Sequence, residues 1–387
     1  MKRLITCMLA IAVTAVFIGC PPKEDIRKQQ GVMDTPAHHV EMAERAVMAK
    51  DWVGAHKEYR LAIGLDPNYV PALIGNAAYF AYKNEDEKAE EYRERAWKSA
   101  KGDDKKLLDY YVGVIRYYKF KKGKDWLENA EDAFERAKKL DPENEKLHFL
   151  MGEAYLTAYK FEKAEDMFRA VVKMNGSLRH NADVLWKKTQ DIVRARPGSV
   201  AAKKIALVEK ITKADVAALF VEEMHLPELW RKRGIKKWEK PKFMTPDQAA
   251  RAKKKDKSLL ATDIENHPLR RDIEAVIKLG IRGLEVGPDG KFYPNKPVTK
   301  AEYAVMLEDV LVKVLNEPGI SSKYAGESES KFHDMRTSHW AYNAAVVITS
   351  RGMMPPDMEG NFKPMKAVSG SDALLVIRQM MDYLRIG

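Results

Sequence analysis

"KITKADVAALF" (210–220), "PVTKAEYAVML" (297–307) and "AVSGSDALLVI" (367–377) are three copies of one short pattern. In each, a hydroxyl residue stands three positions ahead of an acid, and an apolar helical stretch follows. The pairs are Thr212 with Asp215, Thr299 with Glu302, and Ser369 with Asp372. A hydroxyl at the N-cap accepts a free N–H of the first turn, and the acid reaches back to the cap. The acid also lies at the positive end of the helix dipole. Each copy therefore predicts a helix start with one capping box and one buried apolar face.

Working outward, the last two copies extend upstream. "FYPNKPVTKAE" (292–302) and "FKPMKAVSGSD" (362–372) share Phe, Pro, Lys, Val, a hydroxyl and an acid at matching offsets. "HPLRRDIEAVIKLGI" (267–281) parallels "HWAYNAAVVITSRGM" (339–353), and "GPDGKF" and "DMEGNF" supply turn signals before the aromatic. "ATDI" (261–264) and "KFHDM" (331–335) open the two units. Each unit reads as a helix, a Gly-containing turn, a loop closed by Phe-x-Pro, and a second helix. His267 and His339 hold equivalent places, which predicts a capping or packing role. The first copy is partial: "RPGSVAAKKIALVE" (196–209) has neither Phe-x-Pro nor His-Trp. The helical stretch "NADVLWKKTQDIV" (181–193) is the candidate to replace what that copy lacks.

Three such units over 196–387 resemble the S-layer homology domain, a three-unit helical module with a pseudo-threefold core. The resemblance implies grooves between units that bind acidic cell-wall polysaccharide or a peptidoglycan-linked polymer. By position it assigns the basic residue after the capping hydroxyl to Lys213 and Lys300, and the aromatic after His to Trp340. The third basic position is Gly370, and Pro268 stands where the second aromatic would be. Lysine in place of the family's usual arginine loses bidentate recognition of a carboxylate. The plainer alternative makes Lys213 and Lys300 solvated first-turn lysines and Trp340 a core residue.

A different period governs 36–179. "AHKEYRLAIGLDP" (55–67) and "AEDAFERAKKLDP" (130–142) share Ala, aromatic, Ala and Asp-Pro at the same offsets, and "AEDMFRAVVKMNG" (164–176) begins 34 residues after Ala130. Gly75, Gly113 and Gly152 stand in the first helices, where a small residue lets two helices approach. This resembles the tetratricopeptide repeat, with about four units at 37–70, 71–104, 107–145 and 146–179. The resemblance sends Asn76, Tyr79, Phe80, Tyr110, Tyr117 and Tyr118 towards a concave, partner-binding face. The alternative is that these rings pack between neighbouring repeats.

The amino terminus, "MKRLITCMLAIAVTAVFIGC", has a basic start and an apolar run from Leu4 to Ile18, too short to span a bilayer, and reads as a secretory signal over 1–19. "FIGC" (17–20) resembles a bacterial lipobox, which implies acyl chains on Cys20. Each buried methylene adds about 0.8 kcal/mol, so several chains together anchor durably. Residues 20–35 read as a flexible tether. With no Asp after Cys20, the expected address is the outer membrane facing the periplasm, or the cell surface in a single-membrane bacterium. Removing 1–19 leaves Cys20 the sole cysteine, which excludes a disulfide or thiolate metal site within the mature chain.

Charge is concentrated. Residues 231–257 hold 12 Lys and Arg against 3 Asp and Glu, which equals the net charge of the chain after residue 19. Outside the cytoplasm such a run suits anionic glycan or lipid headgroups, or serves as a solvated linker; nucleic acid is not an expected partner there. No phosphate loop, nucleophile elbow or HExxH occurs, so no enzyme, cofactor or metal site is expected.

The expected architecture is mainly all-α. A tetratricopeptide-like solenoid (36–179) is followed by a linking helix and partial first S-layer-homology unit (180–226), then a basic insertion (227–262). A second unit (263–316), a linker (317–330) and a third unit (331–387) complete it. The expected role is an envelope scaffold that tethers a membrane to the wall or its acidic polymer and recruits a protein on the repeats. The rival expectation is an assembly or secretion accessory lipoprotein, with the repeats binding the client and the terminal module structural.

Overall fold

The computed structural model describes residues 26–234 and 261–385. The signal, the lipobox Cys20 and most of the basic run, including Trp238 and Phe243, lie outside the described residues. The described chain is all-α, with sixteen α-helices and no β-strand. It divides into two compact units, at Met1–Leu150 and Met151–Gly387.

The first unit is solenoid-like. It is built from successive antiparallel helix pairs: α1 (Pro36–Met48) with α2 (Trp52–Leu65), α3 (Val70–Tyr82) with α4 (Asp86–Ala100), and α5 (Asp104–Lys121) with α6 (Trp126–Leu140). The small-residue positions act as the repeat pattern predicts. The Tyr59 ring of α2 lies so close to Gly75 that a Cβ there would stand 2.4 Å from it, and a Cβ on Gly113 would stand 2.3 Å from the Ile74 side chain. The start of α7 (Glu145–Thr157) completes the unit.

A carboxylate ties four of these helices together. Glu44 of α1 accepts from both terminal nitrogens of Arg116 (α5) at 3.1 and 2.9 Å, from the Lys146 ammonium (α7) at 3.1 Å, and from the Tyr59 hydroxyl (α2) at 3.0 Å. Burial alone would push the Glu44 carboxyl up; the two cations outweigh it and hold the group well below the usual carboxylate range.

The segment before α1 is not a free tether along its described length. The Arg27 N–H donates to the Gly64 carbonyl at 2.6 Å, and its guanidinium grips Asp34. His39 then bridges two carboxylates, Asp34 at 2.8 Å and Glu58 at 2.6 Å. Of the tether expected over 20–35, the described part, 26–35, is laid on the first hairpin by a chain of charge-assisted bonds.

The second unit has one core. In it α8 (Phe161–Met174) packs on α9 (Arg179–Ala195), which packs in turn on the final helix, α16 (Gly370–Leu384). Between them come α10 (Val200–Ala206), then α11 (Lys213–Ala218) running into a π-helical turn at Leu219–Glu223, and α12 (Leu226–Lys232). After the undescribed stretch follow α13 (Arg270–Leu279), α14 (Lys300–Leu315) and α15 (Tyr342–Thr349). The repeated pattern of the sequence meets at a point. Ile211 N–H donates to Val368 O (2.9 Å), Val368 N–H to Val298 O (3.0 Å), and Val298 N–H to Ile211 O (2.9 Å). These residues immediately precede the three capping hydroxyls, so the ring closes about a pseudo-threefold axis from which α11, α14 and α16 diverge.

Thr212–Asp215 and Thr299–Glu302 form complete capping boxes. The third cap departs from expectation. Ser369 accepts the Asp372 N–H at 3.2 Å, but no return bond from Ser369 N–H to Asp372 is present. Asp372 is exposed, and the Ser369 hydroxyl also lies 3.2 Å from that of Ser371. The neighbouring amide of Gly370 is drawn instead to the Val208 carbonyl at 2.8 Å.

Three outcomes follow from this packing. Truncating Glu44 to Ala removes the acceptor shared by Arg116, Lys146 and Tyr59, and is expected to cost about 1–3 kcal/mol in denaturant unfolding. The Gly370→Ala substitution, which in most helices would help, puts a Cβ 1.6 Å from the Ile205 carbonyl oxygen. A loss of about 1–3 kcal/mol or more is expected by the same measurement. The amino-terminal clamp has a pH window. Asp34 lies below its ordinary 3.8, so its contribution is present above that value and is lost as pH falls through the folded one. Burial lowers the His39 pKa, but its two carboxylate partners raise it above 6.5, so its contribution is complete below 6.5 and fades as pH rises further. Amide-exchange protection of residues 27–35 is expected to be greatest between these two values and to decline on either side.

Candidate functional site

Two copies of one small site lie beside the threefold ring. Asp263 accepts the N–H groups of Phe292 (2.8 Å) and Tyr293 (2.7 Å), which fixes the Phe-x-Pro loop and buries the Phe292 ring. The carbonyls of Pro294 and Lys296 then accept the first free amides of α11, Ala214 and Lys213, both at 3.0 Å. This docking sets the Lys213 ammonium 4.4 Å from the centre of the Phe292 ring. One unit along the chain the same parts recur. Asp334 accepts Phe362 and Lys363 N–H, both at 2.7 Å, and the Pro364 and Lys366 carbonyls accept Ala301 (3.0 Å) and Lys300 (2.8 Å). The Lys300 ammonium lies 4.5 Å over Phe362.

Both lysines are half-buried, and burial is the main cause that pulls each ammonium below its ordinary pKa. Neither forms an ion pair with a carboxylate among the described residues. Carboxylates act on them only at longer range, Glu285, Glu302 and Asp263 on Lys213 and Asp372, Asp334 and Asp357 on Lys300, and of these Asp263 and Asp334 are occupied by backbone amides. Each lysine therefore sits as a partly desolvated cation over an aromatic face, an arrangement worth about 0.5–2 kcal/mol in itself. Its remaining donors are available to an outside anion. Tyr293 and Lys363, at equal places in the two loops, both adopt the left-handed region (φ 60° and 58°), where non-glycine residues are strained.

The two sites differ in one neighbour. Lys296, in the first, is paired with Glu302 at 2.7 Å. Its counterpart Lys366 is exposed and makes no ion pair among the described residues; each acts as a second positive charge, Lys296 on Lys213 and Lys366 on Lys300. Among the described residues the third interface has no such site. The first unit contributes α10 where the others contribute a Phe-x-Pro loop, and the Ile205 carbonyl occupies the space a side chain at Gly370 would need.

Trp340 is 63% exposed, so it is not a core residue; its ring neighbour is His339, at 5.5 Å. His267 and His339 do cap: Nδ1 of each accepts the N–H two residues on, Leu269 at 3.1 Å and Ala341 at 3.2 Å. Asp263, Asp334, Phe292, Phe362 and Lys366 carry the site although sequence reasoning gave them no role. Their signal was present in the aligned "ATDI"/"KFHDM" and Phe-x-Pro-x-Lys segments.

The expected aromatic groove of the repeat unit is corrected. Asn76, Phe80, Tyr110 and Tyr117 are buried between helices, and Tyr79 and Tyr118 are only partly exposed. Asn76 binds His56 at 2.6 Å, Tyr79 stacks on His56, and Tyr117 donates to Glu90 at 2.7 Å. The Glu44–Arg116–Lys146 cluster joins the helices that would line such a groove. Among the described residues no three metal-ligating side chains converge, and no helix is long and apolar enough to cross a membrane.

Comparison with known proteins bears on this site directly. Over 98 residues, a quarter of its length, the chain is 31% identical to Cell surface glycoprotein 1 of Acetivibrio thermocellus and 29% identical to the Cellulosome-anchoring protein of the same organism. The similar stretch spans 4% and 20% of those two proteins, respectively. No solved structure matches the chain. Residues 262–304 match the S-layer homology domain, so the carboxyl-terminal unit carries that domain, with Asp263, Phe292 and Lys300 inside the matched segment.

Proposed function

We propose that the carboxyl-terminal unit anchors the protein to an anionic polymer of the cell wall through the Lys213–Phe292 and Lys300–Phe362 sites. Trp340 is the candidate for an additional sugar contact. The observation that carries this reading is the duplication: two half-buried ammonium groups, each over a buried phenylalanine and each without an ion-paired carboxylate among the described residues. Such a cation is better satisfied by an external carboxylate than by bulk water, because its surroundings are already partly desolvated. Acyl chains on Cys20 would hold the other end in a membrane, so that the chain links bilayer to wall, and no reaction is assigned to it. The rival reading, a client-binding assembly factor with a structural terminal module, draws less support because the proposed inner groove is filled by the protein's own side chains.

The full-length protein is expected to sediment with wall material that retains its polymers. Replacing Lys213 and Lys300 together with Ala should lower the affinity by about tenfold or more. Undiminished sedimentation would remove both from the site. Binding should weaken with added salt, and should fall at alkaline pH before an ordinary lysine titrates, since both ammonium groups lie below 10.5. In cells, Cys20→Ala should release the protein from membranes; continued membrane retention would refute the acyl anchor.

A further inference from the structure

Away from the two lysine sites, the second unit holds a cavity of ≈180 Å³ where the end of α9, the start of α12 and the middle of α16 meet. Its polar lining is Arg196, His225, Arg378 and Glu223, and its floor includes Leu374 and Ile377, which are 1% and 2% exposed. Glu223 is already engaged, accepting the Gly198 and Ser199 N–H groups at 3.1 and 2.8 Å. Among the described residues neither arginine has a hydrogen-bonded or ion-paired partner for its guanidinium.

The internal repeat shows what is unusual here. Arg378 is the ninth residue of α16, and the ninth residue of α14 is Glu308. Glu308 is 2% exposed and fully answered by its neighbours, the Arg282 guanidinium and the Asn343 amide. At the matching place in the third unit the charge is reversed, half-buried and unanswered. The backbone around the cavity is irregular as well. Arg196 (φ 49°) and His225 (φ 50°) both adopt the left-handed region, and the π-helical turn ends at Glu223. Such departures cost energy and gather where a site must be shaped.

We propose that this cavity binds a small monoanionic carboxylate with a branched aliphatic body. A planar guanidinium matches a carboxylate in bidentate fashion, and Leu374 and Ile377 offer the aliphatic part a dry floor. Two guanidiniums against the one Glu223 carboxylate leave a single positive charge, which suits a monoanion better than a doubly charged phosphate. The cavity, ≈180 Å³ and open to solvent on one side, admits a short branched acid.

Calorimetric titration of the full-length protein with isovalerate, acetate and inorganic phosphate tests the assignment. Isovalerate is expected to bind saturably and to raise the melting temperature, with acetate and phosphate weaker. Arg378→Met should weaken isovalerate by about tenfold or more, and Arg196→Ala, at an exposed position that leaves the core untouched, should weaken it by a smaller factor. The double replacement of Lys213 and Lys300 should leave isovalerate binding unchanged, and Arg378→Met should leave wall sedimentation unchanged, so this site and the wall site fail separately. Absence of saturable isovalerate binding, equal binding by Arg378→Met, tighter binding of phosphate, or loss of isovalerate binding in the lysine variant would overturn it.

Discussion

The carboxyl-terminal unit depends on three backbone hydrogen bonds that run in a circle, Ile211 to Val368 to Val298 and back to Ile211. Each is an ordinary amide bond, worth about 1 kcal/mol net if broken into water. Their position makes them count for more. Ile211 and Val298 are wholly buried and Val368 is 3% exposed, so any one amide left unpaired there would carry its full desolvation cost. The circle also fixes where three helices begin. A helix start leaves free amides; the next unit's Phe-x-Pro carbonyls take up the first two at α11 and α14. The lysines following the caps are therefore aimed by backbone geometry before any side-chain contact is made.

That order of causes accounts for the difference among the three interfaces. Where a Phe-x-Pro loop is present, it accepts two amides and offers a buried ring beneath the lysine. Where the first unit supplies α10 instead, the Val208 carbonyl accepts the Gly370 amide while Ile205 crowds the Cα. Glycine at that position is the consequence, since any Cβ would collide with backbone. The same crowding goes with the incomplete third cap. Loss of one loop thus removes a ring, a cation and half a capping box together.

Much of this unit was legible in the sequence because its repeat is written in residues with narrow conformational meaning: a capping hydroxyl, an acid three places on, and Phe-x-Pro. The capping role of His267 and His339 followed from their equivalent positions. The repeat unit was legible as helix pairs, through Gly75 and Gly113 meeting Tyr59 and Ile74, but not in its inner face. Repeat offsets say which way a side chain leaves its helix; they do not say how tightly the helices curl. Here a long-range ion pair, Glu44 to Arg116 across 72 residues, joins α1 to α5. No local pattern announces a contact at that separation. The clamp at His39 was missed for a similar reason. A polar segment without periodicity looks like linker until its partners, Glu58 and Gly64, are brought beside it.

The two surviving lysine sites are alike in geometry and unlike in charge, and this bears on how a polymer would be held. In the first, Glu302 completes its capping box and also takes Lys296 as an ion-pair partner, which leaves Lys213 as the sole uncommitted cation there. In the second, Asp372 is exposed and makes no return bond to its cap, and Lys366 stays free to add its field to that of Lys300. Two cations placed to meet one anionic group repel each other until that group arrives, and binding relieves the repulsion as well as the desolvation. The site with more unrelieved charge has more to gain. A polymer with repeating acidic groups would then engage Lys300 and Lys366 first. Lys213 would add a second, tethered contact whose strength is set by the spacing of the acids along the chain.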